Sequence, residues 1–244
     1  MRPNCDGEAS FHEVKMSWFS SYVRSSIGAK HVMALTGLAM VLFALAHMLG
    51  HLGMFSGQDA YNSYAHFLQG LGGLKWLARG GLLAVFVIHI ASALRLTALN
   101  RAARPVAYAA YRPVRTTLAA RTMGLSGLII LTFVIYHLLH FTFGQIQPDS
   151  FHKLDLAGRY DAYTMFVRGF QHVGIYASYL VAIALLSLHL GHGASSWLQT
   201  LGLRHPKYSA KLDKLGPAIS VILFLGYMAP PTAVLLDLIK LPGA

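Results

Sequence analysis

Carboxylates are scarce in this chain. Nine Asp and Glu stand among 244 residues, against 20 Lys and Arg, and charged residues make up 12%, where a soluble domain carries about 25%. None of the nine falls in the apolar stretches 31–54, 77–100, 122–146 and 169–198. A copper or non-haem iron site built on carboxylates or thiols is therefore excluded from those stretches. Cysteine is nearly absent too. The single Cys5 rules out an internal disulfide framework, and no C-x-x-C-H is present, so haem cannot be attached as in c-type cytochromes. Residues 1–20 lack a continuous apolar core and contain Asp6, Glu8, His12, Glu13 and Lys15, which does not read as a signal peptide. No segment alternates apolar and polar residues as a barrel strand would.

Long hydrophobic runs are abundant. With 55% hydrophobic residues and a mean hydropathy of +0.49, the chain holds five windows of the ~20 residues needed to cross a bilayer. The expectation is an all-α integral membrane bundle with spans at 31–54, 77–100, 122–146, 169–198 and 215–239, because only helices pair their own backbone in lipid. Residues 1–30 read as a polar N-terminal segment in which WFSSYVRSSIGAK is interfacial. Residues 31–244 read as the membrane domain. The fifth span is expected to start at Gly216-Pro217, and Pro230-Pro231 to kink it or end its regular part. Arg95, Arg101, Arg104, Arg112, Arg115 and Arg121 cluster after the second span, and Arg204, Lys207, Lys211 and Lys214 after the fourth. Positive-inside logic puts these segments and the N-terminus in the cytoplasm; Lys75 and Arg79 run against it. The net charge of +11 is thereby topological, and a nucleic-acid partner is not expected.

Two stretches echo each other. Thr36 to His47 reads TGLAMVLFALAH and Ser126 to His137 reads SGLIILTFVIYH. In each, a hydroxyl residue and Gly-Leu precede a histidine ten positions after the glycine. The helices that follow carry His89-Ile-Ala-Ser92 and His192-Gly-Ala-Ser195. Two such helix pairs imply parallel repeats about an approximate two-fold axis along the membrane normal.

Ionisable residues inside spans are functional candidates. Four histidines lie deep in successive helices: His47, His89, His137 and His192. The first and third helices run outward, which puts His47 and His137 together toward the outer face. The second and fourth run inward, which puts His89 and His192 together toward the inner face. Two facing imidazoles in an apolar bundle are what b-type haem requires, and bis-histidine iron keeps no open position. Zinc would want four ligands at one site. Gly37, Gly124, Gly127, Gly174, Gly191 and Gly193 admit either a porphyrin or a neighbouring helix. Lys30, His31, Arg95, Arg121 and Arg204 are available for propionates.

The ordered set GAKHVMALTGLAMVLFALAHMLGHL, VIHIASALRL with NRAARPVAY, RTMGLSGLIILTFVIYHLLHF and SLHLGHGASSWLQTLG resembles the di-haem cytochrome b membrane-anchor subunit of succinate:quinone oxidoreductases, the group with a single five-helix anchor. The resemblance spans about Ser25 to Gly202. It implies axial ligation of two b haems by His47 with His137 and by His89 with His192. His189 and His192 are three apart on one helix face, and the choice of ligand between them stays open; the H-x-A-S echo and the His-Gly pair favour His192, with His189 then supporting the site from behind or lining a quinone pocket. It further implies a flavoprotein with FAD and an iron–sulfur subunit on the cytoplasmic face of a bacterial inner membrane, and electron transfer to menaquinone or another quinone. This subunit would not touch succinate. Some relatives carry a glutamate just before the fourth ligand; here Leu190 and Gly191 stand there.

For the quinone, His51, Tyr61, His66 and His140 offer donors on the outer side, and Ser26, Lys30, His31 and Arg95 on the inner. Two other readings stay open: a di-haem cytochrome b of another respiratory dehydrogenase, and a haem-free anchor or small transporter.

Overall fold

A computed structural model describes residues 18–104, 106 and 116–241; Cys5, Pro105, Arg112, Pro113 and Arg115 lie outside the described residues. Among the described residues eight α-helices follow in order: α1 (Trp18–Arg24), α2 (Ser26–Leu52), α3 (Gln58–Gln69), α4 (Gly73–Ala102), α5 (Leu118–Phe141), α6 (Ala162–Phe170), α7 (Val173–Thr200) and α8 (Ser209–Leu235). Among the described residues there is no strand beyond one isolated bridge between Leu154 and Tyr160. α2, α4, α5, α7 and α8 are long and apolar enough to cross a membrane, so the chain is an all-α, multi-pass membrane bundle.

Side-chain caps set three helix starts. Ser25 Oγ accepts from Gly28 N–H at 2.9 Å, Thr117 Oγ1 from Ala120 N–H at 3.1 Å, and Asp161 from Thr164 N–H at 3.0 Å, each pairing a donor the helix leaves over. The third span ends at Phe141, short of the expected 146. Gly144 takes a φ of +68°, and the Phe151 ring occupies the place of its missing Cβ. The expected fourth span, 169–198, is broken at its start: α6 is a separate amphipathic helix, and α7 begins at Val173. α8 starts at Ser209, before Gly216-Pro217, and runs through Pro230-Pro231 to Leu235. The two prolines leave the Gly226 and Tyr227 carbonyls without their intrahelical donors but do not end the helix.

α2 packs on α4, α7 and α8, while α4 packs chiefly on α2 and α5 chiefly on α7. The most intimate pairing is α7 with α8. A Cβ on Gly191 would collide with Ser220 and the Gly216 carbonyl, and one on Gly216 with Ser195 and the Gly191 carbonyl. Small residues let two backbones touch, the usual basis of helix association in lipid. Gly191 thus serves helix packing. Gly124, Gly174 and Gly193 have nothing within 4 Å of a Cβ. Behind this seam, Val41, Ala44 and Met48 of α2 meet Leu190 and Leu223, and the Tyr227 hydroxyl donates to Ala44 O at 2.7 Å.

The two ends of the bundle differ. At one, α1 folds against α2 and is tied to α4 by Arg95, which donates to Val23 O at 2.9 Å and to Arg24 O. A guanidinium at a helix C-terminus satisfies carbonyls that lack partners. At the other end, α3 and α6 close over an aromatic cluster that includes Tyr61, Tyr163, Phe166, Phe170 and Tyr179. A polar knot locks this cap. The fully buried Asn62 donates to Asp155 (3.1 Å) and Asp161 (2.9 Å) and accepts from Tyr163 N–H (3.0 Å). Arg159 bridges Asp155 at 2.8 Å and Asp59 at 2.7 Å.

Burial alone would raise the Asp155 carboxyl. Hydrogen bonds from the Arg159 backbone and guanidinium, from Asn62 and from Ala157 N–H outweigh it and hold the group at about 2. A depressed folded-state pKa contributes stability that is complete above the unfolded value near 3.8 and lost as pH falls toward 2. Thermal unfolding in detergent should show a midpoint that drops between pH 4 and 2, and Asp155→Asn should start lower and flatten that slope. Gly216→Ala is expected to destabilise the bundle by about 1–3 kcal/mol through overpacking, whereas Gly124→Ala should be neutral in the same assay.

Candidate functional site

The site begins with the echoed motif. Thr36 in α2 donates its hydroxyl hydrogen to Val32 O at 2.8 Å, the usual back-bond of a helical threonine. A hydroxyl has one hydrogen; with it on the back-bond, the oxygen accepts from the next polar group. That group is Nδ1 of His89 on α4, 3.1 Å away. In α5, Ser126 donates to Met123 O at 3.1 Å and accepts from Nδ1 of His189 on α7 at 3.0 Å. The glycine after each hydroxyl makes room for the ring. A Cβ on Gly37 would stand 3.4 Å from His89 Cε1, and one on Gly127 3.6 Å from His189 Cε1. The two halves of the repeat therefore build the same contact. In three dimensions the counterpart of His89 is His189, not His192. His89 and His189 also lie within electrostatic range of each other.

The second level is set by the G-x9-H interval. Ten residues of helix rise about 15 Å, so His47 and His137 sit that far along α2 and α5 from the glycines. Their rings come together, with centroids 6.0 Å apart and planes at 87°. His137 Nδ1 lies 3.3 Å from the Tyr179 hydroxyl, and Tyr179 lies 3.0 Å from Nδ1 of the buried His140. His140 Nε2 is 3.3 Å from Gln147 Oε1. Gln147 is oriented by its amide donating to Arg168 O at 3.5 Å. The chain of bonds has one consistent direction. Gln147 Oε1 only accepts, so His140 carries its proton on Nε2 and takes the Tyr179 hydrogen on Nδ1. The Tyr179 oxygen then accepts from His137 Nδ1–H.

Three rings are thus held as the Nδ1–H tautomer, with an unprotonated Nε2: His89, His189 and His137. The partner of one ring nitrogen decides the state of the other. His47 differs. Its Nε2 lies 3.2 Å from His51 Nε2, and His51 Nδ1 lies 3.0 Å from the Tyr61 hydroxyl. A ligand on His47 would replace the His51 contact. Among the described residues, no group of three or more His, Cys, Asp or Glu side chains forms a metal site.

The remaining candidates divide by place. His51, Tyr61 and His140 gather at the His47–His137 level beneath the α3–α6 cap. His66 stands apart and lines a separate pocket. At the α1 end, His31 Nδ1 lies 2.7 Å from the Tyr22 hydroxyl, Arg95 is engaged with the end of α1, and Lys30 and Arg121 are exposed. The contributions of Thr36, Ser126, Tyr179 and Gln147 were not expected from sequence, although the hydroxyl before each glycine was visible there.

Fold and site define a five-span helical bundle with paired imidazoles at two depths. None of the protein-family models, curated proteins or solved structures compared with the chain matches it.

The tautomers can be read directly. Solid-state 15N spectra of histidine-labelled, ligand-free protein should show Nδ1–H signals for His89, His137 and His189. Tyr179→Phe should shift the His137 and His140 signals and leave His89 and His189 unchanged.

Proposed function

We propose that the chain is a di-haem cytochrome b membrane anchor, with His47 and His137 holding one haem and His89 and His189 the other. The observation that carries this reading is the tautomer pattern: three inward imidazoles keep Nδ1–H on a fixed oxygen and present Nε2 as a lone pair. Metal-ligating histidines are oriented in this way, and losing such a partner costs about 10–100-fold in affinity. Two donors per level, without carboxylate or thiolate, fit a porphyrin iron that already has four nitrogens. When bound, each haem would supply reversible one-electron chemistry at an iron without a free coordination position.

The protein's own residues do the rest. Thr36 and Ser126 orient the rings at one level, and Tyr179 orients His137 at the other. Gly37 and Gly127 leave the helix surface flat beside His89 and His189. His192 takes no part in this arrangement, which moves the fourth ligand one turn toward the N-terminus of α7.

The physiological role rests on the resemblance to succinate:quinone oxidoreductase anchors. Under it, the α1 end faces the cytoplasm of a bacterial inner membrane, as the Arg and Lys near that end favour. An iron–sulfur subunit and an FAD flavoprotein dock there. His51, Tyr61 and His140 supply hydrogen-bond partners for menaquinone or another quinone near the opposite face.

Reduced-minus-oxidised spectra should show a b-type band, with haem approaching two per chain; purified protein without haem would sink the proposal. His89→Ala and His189→Ala should each remove the same haem, and His47→Ala and His137→Ala the other. His192→Ala should retain both. Ser126→Ala should weaken retention of the first haem about 10-fold or more. Co-purification with a flavoprotein that oxidises succinate distinguishes this anchor from one serving another dehydrogenase.

A further inference from the structure

Where α3, the start of α4 and the connection between α5 and α6 meet, they enclose a pocket of about 340 Å³. His66, Lys75, Arg79, His152 and Lys153 line it, with Trp76 between the first two cations. Its one acid, Asp161, is turned into the polar knot, where it accepts from Gln58 (2.8 Å), Asn62 (2.9 Å) and Thr164 N–H (3.0 Å). None of the three ion pairs among the described residues uses Lys75, Arg79 or Lys153. Lys75 donates to Gln69 O at 3.0 Å, and Arg79 lies over the Trp76 ring at 5.4 Å.

This charge has two costs. Lys75 sits in the first turn of α4, where the helix dipole disfavours a cation. Lys75 and Arg79 are also the pair that runs against the positive-inside distribution. His152 adds a third anomaly, a left-handed backbone (φ +62°) that carries its ring between Phe151 and Tyr160. An anion in the pocket offsets the first two together. The surroundings indicate its source. Trp76 is 65% and Leu77 72% exposed on the first turns of a membrane span, and Phe67 and Phe143 are exposed nearby. An indole and apolar side chains at this depth face headgroups and the upper acyl chains.

We propose that this pocket binds the phosphate of an anionic phospholipid, with Lys75, Arg79 and Lys153 as its cationic contacts and the exposed face of α4 as the bed for an acyl chain. The proposal is independent of the haem reading. It is tested with the full chain in detergent, titrated with short-chain phosphatidylglycerol, phosphatidylcholine and inorganic phosphate and read by native mass spectrometry. Phosphatidylglycerol should bind in preference to phosphatidylcholine. Arg79→Gln with Lys153→Gln should weaken it about 30-fold, from roughly fivefold per basic residue. Lys75→Arg, which keeps charge and fold, should bind as the parent does, and so should Lys207→Gln with Lys211→Gln at the other end. Equal binding of the two lipids, or an unchanged double variant that elutes as the parent does, would overturn the proposal. Displacement of the lipid by equimolar inorganic phosphate would make this a free-phosphate site, and displacement by a menaquinone analogue a quinone site; either also overturns it.

Discussion

The structure depends on a hydroxyl–imidazole bond made twice, between α2 and α4 and between α5 and α7. The back-bond sets its direction. With their only hydrogen on a carbonyl of their own helix, Thr36 and Ser126 each accept from the ring across the interface. In a bundle whose first four spans hold no carboxylate, this is how a ring proton is placed without adding a charge to lipid. A carboxylate would also fix the tautomer, but a charged group at the centre of a span costs several kcal/mol. The hydroxyl does the same work at little cost because its back-bond satisfies it in either case.

The glycine beside each hydroxyl and the histidine ten residues on make one unit of function from one stretch of helix. The glycine gives the neighbouring ring space, and the interval of about 15 Å sets the separation between the two levels. Because the unit recurs in α5, both levels acquire two-fold partners, and α2 and α5 come together through the His47 and His137 rings. α8 stands outside the repeat and acts as a backing helix. Its Gly216 meets Gly191 of α7, and its Gly226 admits Met48 of α2.

The ends of the bundle are built by different physics. At the α1 end, a guanidinium gathers the carbonyls at the end of a short helix. At the other, Asn62 and three aspartates hold α3 and the α5–α6 connection over an aromatic cluster, and that cap carries Gln147 and Phe166 to the His51–His140 level. Three of the chain's nine acids are spent in this knot. Lys75, Arg79 and Lys153 take part in none of the ion pairs among the described residues, and they line the pocket beside the cap.

Composition and spacing alone determined much of this. Five hydrophobic runs of bilayer length require five helices, since lipid offers the backbone no other partner. The echo of Thr36–His47 in Ser126–His137 announced a repeat and its ruler. The pairing of His47 with His137 was legible because helix direction and depth follow from span order. What the sequence left undecided was which way a side chain faces. His189 and His192 are three residues apart on one helix, and the H-x-A-S echo favoured His192. Only packing put Ser126 opposite His189, because the rotation of α7 is set by the tight Gly191–Gly216 crossing with α8, a contact between spans with no shared motif. The same holds for Tyr179 and Gln147. Their role rests on hydrogen bonds across 42 and 7 residues, and the proton order along such a chain is a property of the assembled network.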